Sequence, residues 1–354
     1  MRFLRPLLLI LVVALSGNLH AQDIHFTLFD MSPLTLNPAL SGAFEGTARL
    51  GGIYRAQSFD AVNVEQYETP SFYIDAPIIR GFRKQDWIGV GVAFYSDKAG
   101  RLGLETSGAL LTASYHFALD QNRKNMLTLG LQGGQFNRRI NFENALFADG
   151  LLLDIEDGLS PELYGQNPSE DESGMNPSKD AVDFNAGLLF RSNISESRKL
   201  EIGLSFGHVT RPDYNLVIAN PDDKNAAKRP FRIVGHAAYA IGLNERWGIR
   251  PQIFVQTTTG TDPEIGIQGW ASYLINPEKE IALNFGLGYR ISDAAKVLFG
   301  IDYKDFRAAL SYDITLTELN EVNNYNGAFE VSAYYILKIY KEPKINQAIF
   351  CPKF

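Results

Sequence analysis

The sequence predicts an all-β protein, a transmembrane antiparallel outer-membrane β-barrel of about 14 strands. Three observations predict it: an export signal at the N-terminus, segments of roughly ten residues in which apolar residues alternate with small or polar ones, and connections that alternate between long and short. The composition agrees, because 31 Gly, 23 Phe and 16 Tyr among 354 residues suit short strands and tight turns better than helices.

Charge and cysteine content exclude several classes of protein. The formal net charge is −7, whereas a nucleic-acid-binding protein should carry a basic stripe, so we expect no nucleic acid among the partners. A single cysteine, Cys351, allows neither an intrachain disulfide nor a Cys-rich zinc site. A hydrophobic content of 45% leaves room for a large buried or lipid-facing surface and argues against disorder.

The first element is a signal peptide. Arg2 and Arg5 precede an apolar run over 7–15, and the small residue Ala21 marks a cleavage site. The run is shorter than the roughly 18–20 residues that a membrane span needs, and no later stretch is apolar enough for a transmembrane helix. We therefore expect residues 1–21 to be removed and the exported chain to begin at Gln22.

Residues 22–46 form the second element, a turn-rich segment. It contains the pairs Asn37-Pro38 and Ser41-Gly42, which are typical of turns rather than of strands. We expect this N-terminal segment to be a periplasmic or plug segment, folded either into the lumen of the barrel or under it.

The third element is the β-barrel itself, over residues 47–340. In the run 281–290 one face is apolar and ends in an aromatic residue, while the other carries Gly, Asn and Arg. A soluble sandwich usually has a charged outer face, so small and polar residues on the second face indicate a crowded or wet lumen. The predicted strands are 47–56, 68–75, 87–96, 104–118, 126–138, 182–191, 200–208, 231–242, 247–256, 263–274, 280–290, 296–302, 305–315 and 327–339.

The connections test this prediction independently. The longest, over 139–181, 209–230 and 316–326, all fall at odd positions, whereas the even connections are mostly tight. Long loops outside and short turns inside are the rule for outer-membrane barrels, and an even strand count puts both termini in the periplasm. Two features fit less well. The connection 76–86 is long for a periplasmic turn, and Pro251 removes a ladder donor, so we expect a bulge or a rim position there.

Charged residues are expected on the inner face of the strands, as a pore would need. The same face carries bulky residues that narrow the lumen, and a barrel of about 14 strands is wide enough for an open or a filled interior. The inner-face residues are Arg49, Arg55, Arg250, Arg290, Arg307, Asp313, Trp270 and Tyr334.

The sequence contains no motif that indicates catalytic, cofactor-binding or metal-binding residues. No histidine pair has metal-ligand spacing, and neither HExxH nor GxSxG occurs. His116 is expected to line the lumen. The acidic cluster 169–172 lacks the spacing of a calcium loop and is interpreted as a solvated loop. An enzyme would need a nucleophile and a base in reach of each other, so we expect no enzyme and no cofactor.

The last element is a periplasmic tail over 341–354. It is too short to fold alone and is broken by Pro343 and Pro352, and its apolar side chains are costly to leave in water. Two placements follow: the tail docks on a periplasmic partner, or it tucks into the barrel mouth. Cys351 is either buried and inert or bonded to another chain.

Several short motifs, in order and nearly end to end, resemble the PorP/SprF family of outer-membrane proteins of the type IX secretion system of Bacteroidota. One departure is Ala39-Leu40, where an aromatic residue is expected near the turn. The matching motifs are Gln22-Asp23, Leu36-Asn37-Pro38-Ala39, Ser41-Gly42, Tyr54-Arg55, Gly89-Val90-Gly91-Val92, Ser96-Asp97-Lys98-Ala99-Gly100, Phe184-Asn185-Ala186-Gly187-Leu188-Leu189, Leu310-Ser311-Tyr312-Asp313 and Cys351-Pro352-Lys353-Phe354.

This resemblance implies a non-enzymatic role in exporting or anchoring secreted surface proteins, often adhesins of gliding motility. The implied partners are outer-membrane lipids, a secreted surface protein or adhesin, and periplasmic components of the same system. From these motifs we expect partner contacts at Asn37, Pro38, Cys351, Pro352 and Phe354. A porin-like channel or apolar-solute transporter of the outer membrane is the alternative function.

Overall fold

The structure, a computed structural model, is a closed barrel of fourteen antiparallel strands. It describes residues 24–57, 67–80, 85–100, 103–140, 154, 156–157, 177–214, 216, 228–259, 261–317 and 325–339. The predicted signal peptide, the acidic cluster 169–172 and the tail 341–354 lie outside these residues. The predicted fold class and strand count are confirmed.

Each strand pairs with the next along the chain, and β1 closes the barrel on β14, with Ala48 opposite Leu337. The strands are β1 (Ala48–Gln57), β2 (Tyr67–Arg80), β3 (Trp87–Ala99), β4 (Leu104–Ala118), β5 (Asn125–Arg139), β6 (Ser178–Ser195), β7 (Arg198–Gly207), β8 (Arg232–Gly242), β9 (Trp247–Thr258), β10 (Glu264–Asn276), β11 (Ile281–Arg290), β12 (Ala294–Tyr303), β13 (Phe306–Thr315) and β14 (Asn326–Leu337).

Alternation along the strands sorts side chains between lipid and lumen, as predicted. Leu111, Leu131 and Leu287 are 68%, 69% and 71% exposed on the outer face. Their neighbours in sequence point inward, where Thr112 and Gln132 are buried. An apolar outer band around a polar interior is the pattern that a barrel needs in a lipid bilayer.

The two features that fitted the pattern less well have separate explanations. Strand β2 continues to Arg80, so the connection to β3 is shorter than predicted. Pro251 was expected at a bulge or rim, which is wrong, because it lies inside β9 opposite Gly269 in regular register. Towards β8 the pairing is interrupted beside Pro251 with the register unchanged on either side. The missing N–H therefore costs one ladder bond and does not shift the strand.

The short connections are closed by local hydrogen bonds. In the turn between β4 and β5, the Asp120 carboxylate accepts hydrogen bonds from the backbone N–H groups of Asn122, Lys124 and Asn125. The bond from Lys124 contributes most to lowering the pKa of Asp120. The ends of β4 and β5 are thus held together without a long loop.

Candidate functional site

The lumen is occupied by the chain's own N-terminal segment, residues 24–46, which we call the plug. It consists of a 3-10 turn (Phe29–Met31), the single-turn helix α1 (Pro33–Leu36) and a second 3-10 turn (Pro38–Leu40). Proline begins α1 and the second 3-10 turn, where its fixed φ favours the helical conformation and no N–H is needed. The turn-rich sequence therefore folds as three short turns.

The plug runs through the barrel from one end to the other. Ile24 lies at the end that carries the long connections, beside Gln57 at the end of β1 and Thr258 at the end of β9. At the opposite end, Thr47 N donates to Leu337 O at 2.7 Å as the chain enters β1. The plug thus starts near the long connections and ends at the short ones.

Two carboxylate anchors hold the plug. The first attaches the part of the plug nearer the long connections to β13 and β14. The backbone N–H groups of Thr27 and Leu28 donate to the two carboxylate oxygens of Glu330 at 2.7 and 2.8 Å. Thr27 Oγ1 donates to Asp313 at 2.8 Å, and Arg55 pairs with both carboxylates. Glu330 is 0% exposed, so these charge-assisted bonds are fully shielded from water.

The second anchor attaches the part of the plug nearer the short connections to β1 and β2. Asp75 accepts from Gly42 N at 2.7 Å and from the Arg49 guanidinium at 2.8 and 2.9 Å. Arg49 Nη2 also donates to Leu40 O at 3.2 Å. One buried carboxylate therefore ties the plug backbone and a strand arginine together.

Between the anchors, the Asn37–Ala39 turn rests on bare backbone. A Cβ added to Gly130 would lie 2.3 Å from Ala39 N, and one added to Gly187 would lie 2.0 Å from Asn37 Oδ1. Asn37 Nδ2 donates to Leu188 O at 3.0 Å, and its Oδ1 accepts from Ala39 N at 2.9 Å. The turn fits only because both wall positions lack a side chain.

His116 lines the lumen, as the sequence predicts, and contacts the plug. Its Nε2 lies 2.8 Å from Ser41 O and its Nδ1 lies 2.9 Å from Thr128 Oγ1. The Trp87 indole stacks on the imidazole with 4.5 Å between ring centroids. Both ring nitrogens have hydrogen-bond partners, which is a structural use of the side chain rather than a catalytic one.

Apolar packing completes the fit of the plug. Phe29 stacks on Phe254 of β9 with ring centroids 5.3 Å apart. Leu28 and Ala39 are 0% exposed, a burial typical of a protein core. The plug and the barrel wall therefore share a hydrophobic core.

The structure places the predicted inner-face charges as expected and pairs them. Arg250 donates to Asp30 of the plug at 2.9 Å, and Arg290 donates to Asp313 at 2.8 Å. Arg307 forms a two-pronged pair with Asp302. These arginines are thus committed to carboxylates of the chain itself.

Of the predicted partner-binding residues, Asn37 and Pro38 are buried inside the barrel. Their binding to a partner stays a prediction, and Cys351, Pro352 and Phe354 lie outside the described residues. Sequence reasoning did not single out Glu330, Asp75, Gly130 or Gly187 as the residues that hold the plug. The sequence signal that could have indicated them is an acidic residue or a glycine at an inward position of an alternating strand.

Two of the cavities that border the plug differ in depth and in lining. One, which we call the vestibule, measures about 440 Å³ at the end with the long connections. Its lining includes Ile24, His25, Gln57, Tyr67, Thr106 and Arg138. The other, of about 150 Å³, lies deeper and is lined by charged residues of wall and plug, among them Asp30, Arg191 and Glu201.

Two features are absent from the described part of the chain. No group of three or more His, Cys, Asp or Glu side chains there is arranged to hold a metal ion. Within the same residues, no helix has the length and apolar character to cross a membrane.

Comparison with known proteins gives one family and one fold. The sequence model of the family described as type IX secretion system membrane protein PorP/SprF matches residues 18–335. No curated protein matches the chain. Among solved structures, the chain is similar to the Ralstonia pickettii toluene transporter TbuX, with 11% identity over 92% of this chain and 97% of that one and a TM-score of 0.50. A Pseudomonas aeruginosa FadL homologue has 12% identity over 91% and 96%, with a TM-score of 0.49. At 11% identity the likeness to TbuX shows the fold alone.

Proposed function

Since the chain belongs to the PorP/SprF family of type IX secretion membrane proteins and its barrel lies in the outer membrane, we propose that it assists the export or surface anchoring of secreted proteins. The proposed substrates are surface proteins such as adhesins, including those of gliding motility. In this proposal the protein works through protein–protein contacts and catalyses no reaction.

The filled lumen is the observation that carries this proposal. The plug is held by two buried carboxylate anchors and by an apolar core, and its backbone is hydrogen-bonded to the wall at both ends. A polypeptide cannot share that space with the plug, because protein interiors are close-packed. What the barrel offers to a secreted protein with the plug in place is therefore its ends and its outer face.

The alternative function, a porin-like channel or a transporter of apolar solutes, has less support. The similarity to TbuX concerns the fold. An apolar solute would need an apolar path, whereas the deep cavity is lined by ion pairs such as Arg250–Asp30 and Arg191–Glu201. An apolar molecule in this cavity would displace water from the charged side chains without forming hydrogen bonds to them, which is unfavourable.

The proposed partners occupy three different surfaces. Outer-membrane lipids cover the apolar outer face around Leu131 and Leu287. Periplasmic components of the secretion system meet the short-connection end, where the tail with Cys351, Pro352 and Phe354 begins. Asn37 and Pro38 can touch a partner only if the plug leaves the lumen, because the barrel wall now surrounds them.

The experiment is a deletion of the gene with complementation by the intact chain. We expect surface proteomics to show loss of one or more secreted proteins from the cell surface, and their return on complementation. Uptake of a small apolar solute is measured in parallel. Unchanged surface proteins together with reduced solute uptake would favour the transporter instead.

A further inference from the structure

Among the described residues that line the vestibule, one arginine has no carboxylate to match its charge. Arg138, the second-last residue of β5, points inward into the vestibule. Its guanidinium lies 4.5 Å from the centroid of the Tyr214 ring, and no carboxylate among the described residues forms an ion pair with it. Its Nε is buried and has no hydrogen-bond partner in the described part of the chain. A donor left in this state costs free energy that a ligand oxygen can recover.

The next residue, Arg139, differs from Arg138 because it forms an ion pair with a carboxylate. Arg139 points to the other face of β5, and its Nη2 and Nε donate to Glu105 at 2.6 and 3.0 Å. The side chain of Arg139 is 62% exposed. Arg139 is therefore a suitable control for Arg138. It is the next residue in the chain, but its guanidinium is already paired with the carboxylate of Glu105.

Ring stacking prepares Arg138 for a planar oxyanion. The Tyr214 ring holds one face of the guanidinium, so the edge with its N–H donors is oriented before any ligand arrives. Lys179 lies directly opposite Arg138 on β6 and adds positive charge, although its Nζ is paired with Asp213 at 3.1 Å. A carboxylate is the group that matches such a fork in shape and in charge.

The rest of the vestibule suits a peptide. Hydroxyl groups of Thr106 and Thr258 line it and can bond to backbone amides, while Tyr67 offers an aromatic wall. Asp97, held by Thr69 Oγ1 at 2.7 Å, lines the vestibule as well. A doubly charged phosphate would be repelled by Asp97 more strongly than a singly charged carboxylate.

We propose that the vestibule binds an acidic side chain of an extended peptide segment from a secreted protein, with Arg138 forming a two-pronged bond to its carboxylate. This inference rests on the proposed function, because it names the chemistry of the secreted partner. The site lies at the barrel end with the long connections, above the plug, so it can be filled without moving the plug.

The test uses the full-length protein in detergent and a fluorescein-labelled tetraglutamate peptide. We expect binding that weakens at least tenfold in Arg138→Gln and is unchanged in Arg139→Gln. Arg138→Lys, which keeps the charge and loses the fork, should fall between them. Binding should also weaken as salt is raised, since the contact is ionic. Heat-modifiable migration on gels checks that each variant is folded.

Equal binding by the intact protein and Arg138→Gln would overturn the site. Equal binding of a tetraglutamine peptide would overturn the role of the carboxylate. Displacement of tetraglutamate by inorganic phosphate or oligogalacturonate at lower concentration than by unlabelled tetraglutamate would show that the oxyanion is not from a peptide. If gene deletion leaves surface proteins unchanged while tetraglutamate binding still requires Arg138, the proposed function fails and the acidic-peptide site stands.

Discussion

Gly130 of β5 and Gly187 of β6 lie directly opposite each other across the sheet, and the Asn37–Ala39 turn of the plug rests on both. Each glycine lets backbone or an amide side chain approach where a Cβ would lie within 2.3 Å of a plug atom. The pair is therefore a seat for the plug, made by one inward glycine on each of two neighbouring strands.

Gly187→Ala should unseat the plug. The new methyl group would lie 2.0 Å from Asn37 Oδ1, so the turn must lift, at a cost of roughly 1–3 kcal/mol in overpacking. We expect chymotrypsin to cleave at Phe26 and Phe29, which are now 5% and 6% exposed, and mass spectrometry measures the rate. Gly235→Ala on β8 is the matched control, because a Cβ there meets nothing within 4 Å. Cleavage that rises equally in both variants would contradict the seat.

Glu330→Gln should weaken the first anchor. The substitution removes the charge that faces Arg55 and turns one acceptor of the Thr27 and Leu28 amides into a donor. Breaking a buried ion pair in this way costs roughly 3–5 kcal/mol. Urea unfolding followed by loss of heat-modifiable migration measures the free energy.

Glu105→Gln is the control for that experiment. Glu105 also pairs with an arginine, Arg139, whose side chain is 62% exposed. An exposed pair of this kind contributes about 0–1 kcal/mol. Equal losses in the two variants would mean that the anchor at Glu330 does not hold the plug.

The alternation of the sequence was sufficient to predict the barrel, and the reason is physical. A strand between lipid and a polar lumen must alternate, so the faces of β11 can be read from Phe285 and Leu287 against Asn284. Prolines obscure the pattern locally. The prediction ended β2 at residue 75, before Ala76-Pro77, although the strand runs to Arg80.

The plug contacts could not be predicted in the same way. Thr27 and Glu330 are 303 positions apart, and no periodicity states which inward acid meets which plug amide. The pair Asn37-Pro38 indicated a turn, but whether that turn lay in the lumen or under it depended on two glycines of β5 and β6. Such contacts are set by three-dimensional packing rather than by local pattern.

Leu287→Arg should destabilise the barrel in a membrane. Leu287 is 71% exposed on the outer face, and an arginine near the bilayer midplane costs roughly 2–4 kcal/mol. Unfolding in lipid vesicles measures the change. Leu287→Phe is the control and should be close to neutral. Substituting inward Gly286 instead is a poorer control, because its Cβ would meet Leu298 at 3.1 Å. Equal stability of the Arg and Phe variants would mean that this face does not meet lipid.

Deletion of residues 342–354 tests the predicted role of the tail. The described chain reaches Ile339, whose N–H donates to Thr47 Oγ1 at 2.9 Å, so the tail begins at the short-connection end of the barrel beside the start of β1. The barrel closes by β1–β14 pairing upstream of this point, and it should therefore still form, reach the outer membrane and migrate as a heat-modifiable band. If the apolar tail docks on a periplasmic component, surface display of the secreted substrate should fall, and whole-cell immunolabelling measures it.

The control replaces Cys351 alone by Ser, which separates a disulfide to another chain from docking by the whole segment. Normal display with the tail deleted would mean that no partner needs it, whereas loss of the folded barrel would assign the tail to assembly.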